Sequence, residues 1–586
     1  MFLDLKIILS CLDKKLKRKL VLIFILSLFG TILEALGVGI ILPFLKLIIE
    51  GKESIILMLS EFNLEFLNEI FFIEISDQSL IIYSLFLLIL LFLFKTIFFI
   101  YLIWQQNVFA YNVESTLAKK LLSFYLKQDY SFHLVKNSSE LFRNIIDEVR
   151  TFRISVINPI LILITEVLIL IFITSLVIFI APLIAISTSI FLIICTLAYL
   201  KFSQKKLTKL GNERQIHDAL RIQHLKQGLM GIKEIKISGN ENEFLSIFDV
   251  HNLKSIKTRS DQHFWTGIPR FVLEFIVVLA FIGLSFLAVS QGHQIKNLLP
   301  VIGLFAVASF RLLPSVSKII QSENNIRFGY PSLKLLSEEF KNIKKKETIV
   351  YQESKNNKLL DFENLNLSKV TFKYPKSKTN VLENINLEIK KGDKIAIVGE
   401  SGSGKSSFID IVSGLIEPSS GEIKLNGKKI NLNNKNWFDI ISYVPQFTFL
   451  TDDTIIRNIA FGIKDKDIDT SKIKKILSVV ELNDFIKDSN KGLETMIGEQ
   501  GTRISGGQKQ RLGIARALYT NFQILFLDEA TSALDLETEN KIFENLSNYL
   551  ENKTLIMVSH RPSILSNFKK IFATNKGNLI QQNTQM

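Results

Sequence analysis

Cysteine is nearly missing from the 586 residues. Cys11 sits in an amphipathic N-terminus and Cys195 in an apolar run. Together they exclude a disulfide framework and any CxxC metal or redox site. Histidine is also sparse, with seven in all. His217 and His224 lie seven apart on one expected helix, with no carboxylate or cysteine in ligand register, so a solvated helix face is expected. No basic cluster precedes the first apolar stretch, so no cleavable signal peptide is expected. Proline is scarce, at 11, whereas phenylalanine reaches 46 and hydrophobic residues 48%. The length allows several domains, and the apolar excess places the chain in a membrane class. The formal charge of +14 is not spread evenly. It gathers in segments flanking apolar runs, as cytoplasmic loops require, and this argues against a nucleic-acid partner.

A helix needs about 20 apolar residues to cross a bilayer. Six runs qualify, at about 20–49, 80–110, 157–181, 183–203, 265–290 and 298–320. Only Ala181-Pro182 separates the third from the fourth, which predicts a tight hairpin. "KKLKRK" (14–19) and the segments 111–156 and 201–262 are basic, while 50–79 carries Glu50, Glu53, Glu61, Glu65, Glu69, Glu74 and Asp77 against Lys52. The asymmetry predicts both termini in the cytoplasm. Within the outer loop, Ile55, Leu59, Phe62, Phe66 and Ile70 recur at helical spacing, predicting an amphipathic helix over 54–72. The expected organisation is a six-helix, all-α transmembrane domain over 1–335, a Lys-rich linker over 336–360, and an α/β phosphate-loop domain over 361–586.

"KIAIVGESGSGKSS" (394–407) has the pattern of strand, loop and helix. Gly399, Gly404, Lys405 and Ser406 fit G-x-x-x-x-G-K-[ST], and Ser401, Gly402, Ser403 and Ser407 complete the loop. Such a turn closes backbone N–H groups around phosphate oxygens at a helix N-terminus. Lys405 would reach the β- and γ-phosphates of ATP, and the Ser406 hydroxyl would bind Mg²⁺. "QILFLDEATSALD" (523–535) predicts a buried strand delivering Asp528 to the metal and Glu529 to an attacking water. In "ISGGQKQRLGIARAL" (504–518), Ser505, Gly506, Gly507 and Gln508 open a second helix in the same anion-binding manner. One ATP needs only one phosphate loop, so the second turn raises the question of whose phosphate it serves.

With these motifs the sequence resembles the ATP-binding cassette family over nearly all of 361–580. The resemblance implies that the signature turn meets ATP held by another subunit. It also implies that Tyr374 stacks on adenine, Gln446 is the Q-loop glutamine near Mg²⁺, Asp535 is the D-loop aspartate, and His560 is the switch histidine contacting the γ-phosphate. Ile504 stands where the signature usually has Leu, a position that packs rather than binds phosphate. Six spans ahead of one cassette resemble the type I exporter half-transporters, which implies a homodimer with two ATP sites. The same resemblance makes 125–137 and 227–239 the coupling segments.

Arg311, in "FAVASFRLLPSVSK" (305–318), is the unusual residue of the last span, since a guanidinium is costly at membrane depth. A rise of 1.5 Å per residue puts it about 20 Å from the outer end of its span and Lys95 about 22 Å into the second span. Arg270 stands at the cytoplasmic end of the fifth. Three cations in one depth band suit a phosphate-bearing lipid headgroup, although Glu166 and Glu274 lie in the same range and offer internal ion pairs. "EALGVGIILPF", "PRFVLE" and "FRLLPS" resemble the PglK-like lipid-linked oligosaccharide flippases of bacterial protein glycosylation. That implies a bacterial inner-membrane protein moving a polyprenyl-pyrophosphate oligosaccharide outward. A peptide, drug or unmodified-lipid exporter stays open; an ATP-gated channel is expected to lack competent hydrolysis at one site, which a homodimer with Glu529 in both does not fit.

Overall fold

The computed structural model describes residues 2–53, 76–180, 182–290, 295–353, 361–375, 377–430, 435–559, 561, 565–575 and 577–582. The helix expected over 54–72 lies outside the described residues. The chain forms two compact units, one comprising Met1–Lys127 and Lys136–Tyr351, the other Gln128–Val135 and Gln352–Met586.

Every regular element among the described residues of the first unit is a helix. Lys14–Gly39 ends where Ile41–Glu50 begins, two residues before Pro43. A proline ring clashes with the carbonyl four residues earlier, here that of Gly39, so the break falls where the sequence demands it. Ser76 caps Asp77–Leu126, its hydroxyl accepting from the Ser79 N–H. That helix has 50 residues, about 75 Å at 1.5 Å per residue, so it continues far past a hydrocarbon core of about 30 Å. Ile82, Phe86, Ile89, Leu93 and Ile100 are exposed along it, an apolar stripe suited to lipid. Among the described residues, Lys14–Ile48, Asp77–Leu126 and Ser138–Phe179 are long and apolar enough to cross a membrane. The runs expected at 183–203, 265–290 and 298–320 lie within three long helices, Pro182–Met230, Glu241–Ser290 and Ile295–Glu353.

Polar contacts bind these helices together. Arg214 is fully buried, with Nη2 donating to Glu148 at 3.0 Å and Ser332 at 2.9 Å, and Nη1 to Thr151 at 3.1 Å and Asp218 at 3.5 Å. Asp218 also accepts from Ser255 and Arg259. Glu148 closes a π-helical turn, Asn144–Glu148, and a second follows at Arg153–Ile157. A Cβ on Gly329 would come within 2.7 Å of Ser155, so glycine is what lets that helix approach the second turn. The histidine expectation needs correction. His217 and His224 are half-buried and face His251 of Glu241–Ser290, with His217 and His251 Nδ1 atoms 3.0 Å apart and the His224 and His251 rings stacked. Helical periodicity identified their shared face, but not the neighbouring helix that covers it.

The described residues of the second unit hold two sheets. One is antiparallel, built from β1 (Asn364–Phe372), β2 (Leu382–Lys390), β4 (Ser420–Leu425) and β5 (Lys428–Lys429), in the order β2-β1-β4-β5. The other runs β10-β9-β3-β8-β7-β6, from β3 (Lys394–Gly399), β6 (Ile441–Val444), β7 (Ile524–Asp528), β8 (Thr554–Val558), β9 (Lys570–Asn575) and β10 (Asn578–Gln582). All its pairs are parallel except β9 with β10. β7 and β8 are buried throughout, which explains their unbroken apolar sequence. Tyr130–Val135, inside the expected coupling segment 125–137, groups with this unit. Ile232–Ser238, inside the segment 227–239, belongs to the first unit and leaves Ile232 and Ile237 exposed.

Candidate functional site

In a parallel sheet the ligand crevice lies beyond the carboxyl ends of the strands. β3 delivers the phosphate loop there, and β7, separated from it by β8, delivers Asp528 and Glu529. Gly399 has φ +151°, and a Cβ on it would stand 2.2 Å from Thr574 Oγ1. Gly404 has φ +98°, and a Cβ there would stand 2.9 Å from the Val381 carbonyl. The loop therefore needs glycine at both ends. Ser403 Oγ lies 2.5 Å from Thr574 Oγ1, which pins the intervening turn. Lys405 opens the helix Lys405–Val412, and its ammonium spans the loop, donating to the carbonyls of Gly399 at 3.0 Å and Glu400 at 2.7 Å. Burial pulls its pKa down, opposed by the charges of Glu529 and Asp528.

The acidic half of the site is equally ordered. Asp528 is 3% exposed, and burial raises its pKa; hydrogen bonds from Ser406 and Tyr443 and the charge of Lys405 act the other way. Its Oδ1 is buried without a hydrogen-bond partner among the described residues. A buried carboxylate oxygen beside a serine hydroxyl is the oxygen donor set that Mg²⁺ prefers, so the residues fit the ion. Glu529 adopts φ +47°, a left-handed conformation costly for a side-chain-bearing residue. Gln446 Nε2 donates to its Oε2 at 2.8 Å and holds the carboxylate in place. The structure thus brings together Lys405, Ser406, Gln446, Asp528 and Glu529.

Tyr374 packs edge-on against Phe372, and its hydroxyl lies 3.0 Å from Ser407 Oγ, over the start of the phosphate-loop helix. Ser505 caps Gly506–Tyr519 in a reciprocal box with Gln508: the Gln508 N–H donates to Ser505 Oγ at 3.2 Å, and the Ser505 N–H to Gln508 Oε1 at 2.8 Å. Ile504 packs against the cassette core, as its apolar character predicts. A Cβ on Gly507 would stand 3.1 Å from Leu534, so the signature helix lies close against the 532–534 loop. Asp535 caps the next helix by accepting from the Thr538 N–H at 2.9 Å, and this hydrogen bond lowers its pKa. His560 lies outside the described residues.

Sequence reasoning missed the clamp on that loop. Arg561 donates to the carbonyls of Ser532 and Leu534, both at 2.9 Å, and pairs with buried Glu539 at 2.6 Å. Gln510 grips the same loop through Ser532 Oγ and the Ala533 N–H. Arg516 ties the signature helix to the Phe449 carbonyl beyond the Q-loop. No local pattern marks such contacts, because each joins residues separated by 22 positions or more.

Asp410, on the phosphate-loop helix, is pushed up to about 6 by burial and then by the charge of Asp528. A carboxyl raised in the fold favours its protonated form, so its ionisation costs stability above pH 6. That cost fades as pH falls through 6 toward the unfolded value. Asp410→Asn is expected to raise the thermal midpoint by a few degrees at pH 7.5, with the gain shrinking toward pH 5. A scan of wild type and variant across that range checks it.

The expected cation band looks different in three dimensions. Lys95 pairs with Glu34 at 3.5 Å, both largely buried, and its ammonium lies 4.3 Å from the Phe92 ring centroid. Arg270 is exposed and pairs with Glu274 at 2.9 Å on its own helix. Neither cation bonds to the other. The backbone of Arg311 continues Ile295–Glu353, and its side chain lies outside the described residues. Lys318, which the sequence reading did not single out, reaches Glu166 at 2.6 Å, and Ser315 donates to the same carboxylate at 2.7 Å.

Comparison with known proteins agrees with this architecture. Residues 382–532 match the ABC transporter family, and residues 20–312 match the ABC transporter transmembrane region. The chain is 36% identical over 222 residues to an ATP-dependent lipid A-core flippase of Ralstonia nicotianae, covering 38% of each protein. It is 38% identical over 214 residues to the alpha-hemolysin translocation ATP-binding protein HlyB of Proteus vulgaris, covering 36% of this chain and 30% of that one. These alignments span less than two fifths of the relatives' length. A bacterial Atm1-family ABC exporter with ATP bound superposes with a TM-score of 0.80 at 21% identity, over 97% of this chain and 96% of the other, which establishes a shared fold. The matched transmembrane region covers half of the sequence, and the cassette that follows has its phosphate loop, acidic pair and signature helix assembled: the chain belongs to the ABC transporter family.

Proposed function

We propose that the protein is an ATP-driven exporter, working as a homodimer. Its proposed cargo is a polyprenyl-pyrophosphate-linked oligosaccharide, moved from the inner to the outer leaflet of a bacterial inner membrane. Both termini and the cassette would face the cytoplasm. The observation that carries the hydrolytic reading is Glu529, held by Gln446 beside buried Asp528. Phosphoryl transfer depends mainly on positioning and charge stabilisation. In this reading the glycine turn cradles the phosphates of ATP and Lys405 moves from the loop carbonyls to the β- and γ-oxygens. Glu529 orients the attacking water and takes its proton, and Tyr374 stacks on adenine. Ser406, Asp528 and Gln446 would hold Mg²⁺, which when bound neutralises charge on the phosphate oxygens. The capped turn at Ser505–Gln508 would meet ATP on the second subunit, with Asp535 alongside and His560 at the γ-phosphate.

The cargo reading rests on the membrane motifs and is consistent with relatives named lipid A-core flippase. Arg311 is proposed as a headgroup ligand. Lys95 and Arg270 would join it only by exchanging Glu34 and Glu274 for the lipid phosphate. A second reading, export of a polypeptide, is favoured by relatives named for leukotoxin and alpha-hemolysin translocation. Hydrolysis by the purified protein in nanodiscs separates the two. A pyrophosphate-linked oligosaccharide lipid is expected to stimulate phosphate release several-fold, as binding energy of a cargo biases a two-state cycle. Stimulation by peptides and not by the lipid would contradict the cargo assignment.

A further inference from the structure

A cavity of about 580 Å³ opens within the helical unit. That volume falls in the range of small-molecule sites, roughly 300–1,000 Å³. Phe99, Leu102, Ile103 and Ile162 supply apolar lining. The lining also carries five amides, Gln106, Asn107, Asn158, Gln321 and Asn325, together with the Glu166–Lys318 pair. Lys318 lies some twenty residues past the outer start of its span, about 30 Å on, at the inner end of a bilayer core. On the expected orientation the cavity would open near the level of inner-leaflet headgroups.

The chemistry of the polar lining is specific. Each side-chain amide offers two donors and an acceptor oxygen, the combination that vicinal hydroxyls require. Gln106 uses one donor on Thr165 and Gln321 one on Ser317, while Asn325 accepts from Gln262. Asn107 and Asn158 make no side-chain hydrogen bond among the described residues. Glu166 can only accept when ionised, so it repels phosphate and suits hydroxyl donors. Its partner Lys318 is half-exposed and able to turn to an anion at the cavity edge.

From this arrangement we infer that the cavity seats the sugar nearest the acidic linkage of a glycolipid, the amides and Glu166 taking its hydroxyls and Lys318 facing the phosphate. The inference rests on the glycolipid reading above and assigns a place to the glycan that the cation band does not. Binding to the full chain in nanodiscs tests it, with a polyprenyl-pyrophosphate disaccharide and polyprenyl pyrophosphate without sugar as probes. Wild type is expected to hold the disaccharide lipid about tenfold more tightly, since unfilled polar groups penalise the sugar-free lipid. Asn158→Leu with Gln321→Leu should bring that ratio close to one. Asn107→Leu, at an exposed position where folding is not at stake, should lower it. Lys318→Met should weaken both lipids and Lys318→Arg restore them. A wild-type preference that survives all the amide variants places the sugar elsewhere and overturns the inference while leaving the flippase reading intact. A wild type with no preference for the sugar-bearing lipid overturns the inference, and one that binds neither lipid overturns the flippase reading as well.

Discussion

Glu529→Gln is expected to reduce ATP hydrolysis by at least about a hundredfold while leaving ATP binding in place, the scale of a lost general base. Glutamine keeps the length of the side chain and the left-handed backbone at φ +47°. It also preserves a carbonyl oxygen for Gln446 Nε2 to donate to. It removes only the capacity to accept a proton. Lys405, Ser406 and Asp528 stay where they are, because their contacts run to Gly399, Glu400, Tyr443 and each other. Phosphate release and nucleotide titration on the same preparation read the two quantities separately. A variant hydrolysing at close to the wild-type rate would show that the proton goes elsewhere.

The second large effect lies in the helical unit. Arg214→Met is expected to destabilise the helical unit by about 3–5 kcal/mol, the range for breaking a buried ion pair from one side. The guanidinium serves Glu148, Asp218, Thr151 and Ser332, and the Arg214, Glu148 and Asp218 side chains have no solvent exposure at all. Methionine fills part of the volume and leaves two carboxylates buried with less compensation. Adding Glu148→Gln and Asp218→Asn removes those charges and should recover much of the loss. Thermal unfolding in lipid nanodiscs reports both. Equal midpoints for wild type and Arg214→Met would mean that packing, and not this network, fastens the helices.

These residues mark how far the sequence was legible. The nucleotide site was readable because its chemistry depends on contiguous sequence: Gly399 to Ser407 runs unbroken from strand end through loop to helix start, and Asp528 and Glu529 are adjacent. The folded chain adds what spacing does not encode, namely the Gln446 grip on Glu529 and the Arg561 clamp on 532–534. In the helical unit, hydropathy located the apolar runs yet said nothing of how long the helices continue, since polar residues from Gln105 onward extend the same helix to Leu126. Arg214 looked like one more basic residue of a cytoplasmic segment, because its partners beyond its own helix come from two distant stretches of chain, Glu148 with Thr151 and Ser332. Depth along a span placed cations and carboxylates in one range. It did not identify partners, and so Glu166 met Lys318, a cation the depth argument had not considered.

The central claim is that hydrolysis at Glu529 drives movement of a glycolipid across the bilayer. It is tested most directly by following a labelled polyprenyl-pyrophosphate oligosaccharide in proteoliposomes containing wild type, Glu529→Gln or Arg311→Ala. The account predicts ATP-dependent flipping by wild type, none by Glu529→Gln, and hydrolysis without flipping by Arg311→Ala. Hydrolysis by wild type with no lipid moved would contradict the glycolipid assignment, and flipping by Glu529→Gln at the wild-type rate would contradict the coupling itself.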